Sequence, residues 1–375
     1  MMTRRQLLQR AGALGAAGLA FPSIASAASR RAGAGEGGEL VFDNWTAYID
    51  PTEDGAIGTV DRFQEATGIA VTYNELINDN NEYFALIQPV LGRGDRIDAD
   101  IFALTSWMAG RLISLGWVQE LPFDQIPNAA NLRDDLVNPA WDPEGKYSLP
   151  WQTGITGIAY NLAATGRELG SVADLFDPEL RGKIGMLTEM RDTMGLLLLG
   201  QGVDPGALES FDDAAAAFEQ LEEAKSTGQI RQFTGNDYLD DLATGNFAAC
   251  IGWSGDVAQL SLENPDIRFI IPEEGGMSWA DTMQIPDGAE HIDEAAAWMD
   301  FVYDPVEAAQ ITAWVQFISP VKGVQEEVAK IDAELAENEL IFPTEETLSQ
   351  LHTFANLSED VEAEYDAAFS SIVGA

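Results

Sequence analysis

Residues 39–45 read Glu39-Leu40-Val41-Phe42-Asp43-Asn44-Trp45, a short apolar strand that runs into a polar turn. Before it, residues 29–38 (SRRAGAGEGG) have the composition of a flexible linker. After it, Ala56, Val60 and Phe63 share a helix face, and Gly68 closes that helix. Ile69, Val71 and Tyr73 then alternate like a strand. Ile101–Leu104 reads as a buried strand, and Leu112, Ile113 and Leu115 belong to the following helix. Strand, helix, strand, helix in this order argues for an α/β fold with crossover connections.

The pattern recurs further along. Ile155–Tyr160, Ile184–Leu187, Phe247–Gly252 and Arg268–Ile271 read as strands. Helices are expected over Ala214–Lys225, from Val257–Leu262 onward, near Asp293–Tyr303 and over Pro305–Val315. The last has Asp304 as N-cap and Pro305 in its first position. A chain of 375 residues with 46% hydrophobic content can build a large core, and two α/β lobes are the natural partition.

Charge narrows the function. Sixty-two Asp and Glu face 20 Lys and Arg, a formal net charge of −42, and the acids are spread along the whole chain. A surface coated in carboxylate disfavours phosphate backbones and anionic lipid, so nucleic-acid binding is not expected. Such a coat suits a very salty medium, where counterions screen the self-repulsion. The competing reading is an acidic surface that concentrates a cationic ligand.

The first residues carry an export pattern. Arg4 and Arg5 precede an apolar stretch from Ala11 to Ala20, and Ala25-Ser26-Ala27 is a small-x-small cleavage site. The apolar run is short and broken by Pro22, below the length of a spanning helix. Residues 1–27 therefore read as a twin-arginine signal peptide, and 28–38 as linker. Removing the signal leaves 17 basic against 62 acidic side chains, a net charge of −45. The lone Cys250 sits in the apolar run Phe247–Ile251 and reads as a core residue.

Catalytic patterns are poorly supported. The two histidines, His291 and His352, lie in polar stretches read as helical. No dinucleotide fingerprint or P-loop appears, and Gly252-Trp253-Ser254-Gly255-Asp256 fails as a nucleophile elbow because Asp256 stands where glycine is needed. No metal site and no cofactor are expected. Binding is better supported. Trp45, Trp107, Trp151 and Trp253 follow strand-like runs, and Trp279 sits beside Asp281. Ligands of open α/β sheets lie at the carboxyl ends of strands. Ring faces and carboxylates gathered there would box an organic cation.

Five segments in order carry a family resemblance: Asn44-Trp45-Thr46-Ala47-Tyr48, Asp100–Trp107 (DIFALTSW), Tyr147–Asn161 (YSLPWQTGITGIAYN), Cys250–Asp256 (CIGWSGD) and Pro272–Pro286 (PEEGGMSWADTMQIP). Together they resemble the spermidine/putrescine-binding proteins of ABC importers. The resemblance implies a two-lobed type II periplasmic-binding-protein fold, with hinge segments and an interlobe ligand cleft. The first lobe would hold 39–153 and 279–323, the second 154–278 and 324–375.

The same resemblance implies the site. Trp45, Thr46 and Tyr48 would line one wall with Thr105 and Trp107 across from them, the last two bulkier than in relatives. Trp253 and Asp256 would come from the second lobe, and Asp281 would be the main carboxylate beside the ring of Trp279. Asp192 matches an acidic position, with Glu189 as its substitute. Phe317 falls where relatives have Tyr, and Phe354 where spermidine binders use a polar group. The expected function is capture of putrescine or spermidine and delivery to an ABC permease by a monomeric, non-enzymatic protein at the periplasmic or outer cell surface. The alternatives are another cationic or amino-containing solute, or an exported hydrolase that uses carboxylates.

Overall fold

The computed structural model describes residues 37–374, except 54 and 236. The twin-arginine signal and nearly all of the linker lie outside the described residues. In chain order the first elements are β1 (Glu39–Trp45), α1 (Thr59–Thr67), β2 (Ala70–Ile77), α2 (Asn80–Leu91), β3 (Ile101–Thr105) and α3 (Ser106–Leu115). Then come β4 (Leu149–Asn161), β5 (Ile184–Leu187), α4 (Met190–Gly200), α5 (Ala215–Ser226), β6 (Ile230–Thr234), α6 (Tyr238–Thr244) and β7 (Ala249–Trp253). They are followed by α7 (Ser254–Glu263), β8 (Ile267–Ile270), β9 (Gly276–Gln284), α8 (Ile292–Val302), α9 (Pro305–Val315) and α10 (Val324–Ile331). The two-residue strand β10 (Leu351–His352) and α11 (Glu359–Val373) complete the order.

Two compact units emerge. Among the described residues, the first comprises those up to Gln152 together with Ala280–Val315 and Ser319–Ala336; the second comprises Thr153–Trp279, Gln316–Ile318 and those from Glu337 onward.

In the first unit β1 pairs in parallel with β2 and β3, through βαβ connections, and β3 pairs antiparallel with the second half of β9. The element ends follow local chemistry. Gly68 ends α1 in the left-handed region at φ 76, where a Cβ would be strained. Asp79 caps α2, accepting from the backbone of Asn81 at 2.8 Å and of Glu82 at 3.1 Å. Asp304 caps α9, accepting from Val306 N at 2.8 Å, as its position before Pro305 predicts. One sheet face carries a cluster of Ile77, Tyr83, Phe102, Leu104, Met108 and Leu112. On the other, Phe42 meets Trp151 and Trp298 edge-on, with ring centroids 5.6 and 5.7 Å apart. Asp43 is buried in this strand because Asn74 Nδ2 and Tyr83 Oη each donate to it at 2.8 Å.

In the second unit β7 pairs antiparallel with β4 and in parallel with β5, and β5 pairs in parallel with β6. β8 pairs with the other edge of β4, and β10 with the first half of β9. β4 is buried along its whole length, as is nearly all of α4. The core runs from Ile158 through Met186, Leu197, Phe218 and Val257 to Tyr365 and Phe369 on α11. Cys250 is buried within it, and burial pushes its thiol pKa up, away from thiolate chemistry.

The structure departs from expectation in several places. Residues 324–336, expected in the second lobe, belong to the first unit. Val324 and Val328, one turn apart, are the buried positions of α10, which packs on α9. Conversely, residues 316–318 go with the second unit, where Ile318 exchanges backbone hydrogen bonds with Thr153 at 2.9 Å. Ala56 is outside α1, in an isolated bridge with Glu53. His352 lies in strand β10 rather than in a helix, and His291 only precedes α8 as its N-cap. Trp151 is interior to β4 and 2% exposed, so it is a core ring and not a strand-end platform.

Candidate functional site

Each unit gathers carboxylate and tryptophan where strands end. In the first, β1 stops at Trp45 and the chain turns sharply. Ala47 makes the turn with φ 54, a region rarely used by alanine, and its N–H donates to Glu75 Oε1. The turn brings Tyr48 Oη to Asp281 Oδ2 at 2.9 Å. Thr105, the last residue of β3, stands directly opposite Asp281 in the β3–β9 register. Its hydroxyl donates to Asp281 Oδ1 at 2.8 Å. Asp281 thus takes one hydroxyl on each oxygen while only 6% exposed. Trp45, Thr46, Thr105 and Trp107 stay half-exposed, with Trp45 and Trp107 resting part of their rings on the unit's core.

In the second unit Asp192 sits in the first turn of α4 and is 6% exposed. Thr156 Oγ1 and Trp253 Nε1 each donate to one of its oxygens at 2.8 Å. Asp256 sits in the first turn of α7 and is 4% exposed, where the helix N-terminus favours negative charge. Tyr238 Oη donates to it at 3.2 Å and accepts from Trp253 N at 3.0 Å. Trp253 therefore ties the two carboxylates together, its indole to Asp192 and its backbone, through Tyr238, to Asp256. Glu189 is held apart from this set. It caps α4 through Arg191 N at 3.4 Å, while Arg191 pairs with Glu362. It is Asp192, not its expected substitute, that Trp253 reaches.

Trp279 lies against Gly154 so closely that a Cβ there would fall 2.2 Å from Cζ2 of its ring. Phe317 backs it, with centroids 5.5 Å apart and planes at 63°. Phe317 is itself 2% exposed and lies on Gly255, so it supports Trp279 and presents almost no surface. Phe354 turns its ring to Tyr365 in the second core, a packing position. Sequence reasoning missed Asn80, Thr156, Tyr238 and Glu75. Gly154 carried a usable signal, since a glycine inside a strand marks close approach of another group. Among the described residues no group of His, Cys, Asp and Glu could hold a metal ion, and no helix is long and apolar enough to cross a membrane.

Burial raises the pKa of Asp192 from 3.8 to about 6, against the donors Trp253 and Thr156 and the nearby Arg191. Among the described residues it makes no ion pair. Its proton is held more tightly in the folded chain than in the unfolded one. Its stabilising share is full below about pH 4 and lost as pH rises through about 6. A bound cation favours the charged form instead. Affinity for a cation at this position is therefore expected to fall below about pH 6, approaching tenfold per unit. Calorimetric titrations from about pH 4.5 to 8 should show this limb in the native protein and lose it in Asp192→Asn; a limb of unchanged size in that variant would show that Asp192 does not meet the ligand.

Two α/β units joined by repeated chain crossings, with buried acids beside tryptophan at strand ends, are the build of a solute-binding protein with a periplasmic-binding-protein fold. The chain belongs to the bacterial extracellular solute-binding protein family, whose model matches residues 58–343. It is 29% identical over 329 residues to the putrescine-binding periplasmic protein PotF of Escherichia coli, covering 83% of this chain and 84% of that one. It is 26% identical over 310 residues to the spermidine/putrescine-binding periplasmic protein 1 of Haemophilus influenzae, covering 82% and 81%. Among solved structures, the fold is shared with the spermidine/putrescine ABC transporter substrate-binding protein PotD of Streptococcus pneumoniae. That match has a TM-score of 0.75 and 24% identity, over 89% of this chain and 98% of the other.

Proposed function

We propose that this protein captures a polyamine, putrescine or spermidine, and delivers it to the permease of an ABC importer. The observation that carries the reading is the set of nearly buried carboxylates, Asp281 in one unit and Asp192 and Asp256 in the other. Donors to their oxygens include neutral hydroxyl and indole groups, which orient a carboxylate without cancelling its charge toward an incoming ammonium group. The half-exposed rings of Trp45, Trp107, Trp253 and Trp279 offer faces for the methylene stem and its cationic ends. The names of the relatives support this ligand class. In this reading Asp281, Asp192 and Asp256 each offer a carboxylate to an ammonium group. A calorimetric panel of diamines, polyamines and amino acids in molar salt tests it. Saturable heat is expected with putrescine or spermidine and none with neutral amino acids; the reverse pattern would remove the assignment.

The protein is proposed to be exported by the twin-arginine route and to act as a monomer in a salt-rich medium. The net charge of −42 supports the last point, because counterions in dilute buffer are too few to screen the repulsion between so many acids. Far-UV circular dichroism is expected to show a folded protein in molar KCl and loss of structure on dilution. Full structure retained in dilute buffer would refute the salt reading without touching the ligand.

A further inference from the structure

We propose that Asn80 is a positioning residue of the binding site, acting through the Thr105 hydroxyl to aim a hydrogen bond at Asp281. This inference rests on the reading of Asp281 as a ligand carboxylate. Asn80 is the first residue of α2 and is 3% exposed. The direction of every proton in its network follows from elementary donor and acceptor rules. Thr105 N–H can only donate, and it lies 3.1 Å from Asn80 Oδ1, which fixes the amide's orientation. The amide nitrogen then faces Thr105 Oγ1 at 2.9 Å, and an NH2 group can only donate. The hydroxyl has a single proton, and with an incoming donor on its oxygen that proton goes to Asp281 Oδ1 at 2.8 Å. Bonds chained this way polarise one another and strengthen the last acceptor's hold on its charge.

A second observation supports a role in the site. Thr105 is the N-cap of α3, where a threonine hydroxyl ordinarily accepts from the helix's first backbone N–H groups, yet it makes no cap bond. The hydroxyl is withdrawn from helix capping and held between Asn80 and Asp281. Without Asn80 it is free to rotate back to the cap, and Asp281 loses a donor.

The test is a double-mutant cycle read by putrescine calorimetry in molar salt. Asn80→Ala and Thr105→Val are each expected to weaken binding about five- to tenfold, the size of one lost ordinary hydrogen bond. The double variant is expected to be no weaker than Thr105→Val, and Thr105→Ser should restore native affinity. Losses that multiply, or an Asn80→Ala protein with native affinity, would overturn the proposal, because a merely structural role is additive. Where Asn80→Ala fails to fold, Asn80→Ser takes its place, since serine cannot make both bonds. A native protein that takes up no diamine would remove the polyamine reading alone. The Asp281 carboxyl titration, followed by NMR without ligand, would then decide. A midpoint raised by Asn80→Ala only when Thr105 is present supports the relay, and an unmoved midpoint overturns it.

Discussion

Asp281→Asn is expected to weaken putrescine binding at least tenfold in molar KCl, measured by titration calorimetry. The substitution keeps the size of the side chain and removes its charge. An ammonium held by a carboxylate makes a charge-assisted bond of about 1.5–3 kcal/mol net, against about 1 for a neutral one. The amide brings a further penalty. Tyr48 Oη and Thr105 Oγ1 both donate to Asp281, and an asparagine NH2 forces one of those hydroxyls to turn from donor to acceptor. Because the side chain is 6% exposed, water offers little compensation. High salt screens long-range attraction from the acidic coat, so the loss reports the contact itself. Unchanged affinity would sink the ligand assignment.

Gly154→Ala is expected to destabilise the protein by about 1–3 kcal/mol and to weaken ligand binding at least tenfold, through overpacking at one ring. The added Cβ would lie 2.2 Å from Trp279 Cζ2 and 2.7 Å from Cε2 and Cη2. The ring cannot simply retreat. Phe317 backs it, and Phe317 in turn lies on Gly255, where a Cβ would be 2.6 Å from the phenyl ring. Trp279 must leave its place or the strand must bend. Denaturant melts separate the two effects, and pairing Gly154→Ala with Trp279→Leu should recover stability while leaving binding weak. Native stability and affinity in Gly154→Ala would show that the ring of Trp279 is not confined between Gly154 and Phe317.

Much of the architecture was legible because local rules and the final packing agree. The strand at 39–45, the glycine stop at Gly68, the Asp304-Pro305 helix start and the buried strand at Ile184–Leu187 all follow from short-range patterns. Trp151 was misread because β4 starts before it and runs for thirteen buried residues, polar Gln152 and Thr153 included, so its interior looks locally like a strand end. The placement of residues 316–318 and 324–336 differs for another reason. Which unit a segment joins depends on the faces it meets, and α10 carries only Val324 and Val328 as buried anchors.

For the site, the acids were legible and their partners were not. Asp256 and Asp281 stand in motifs that the chain displays openly, whereas Asp192 lies outside all five segments. Sixty-two acidic residues made spacing useless as a guide, and burial sets these three apart from the coat only in company with Asp43, Asp100 and Asp142. Tyr238 and Thr156 carry no pattern, since each reaches its carboxylate across 18 and 36 residues of chain. Asn80 reaches Thr105 across 25.

The amino-acid sequence by itself determined the alternation of strand and helix, the acidic character and the residue types available to hold a cation. These depend on neighbours in the chain and on composition. Only the tertiary structure decided that Thr105 faces Asp281 across a strand pair, that Trp253 bonds Asp192 directly and Asp256 through Tyr238, and that Phe317 backs the ring of Trp279. Those facts come from register and close packing between distant segments, which no local pattern encodes.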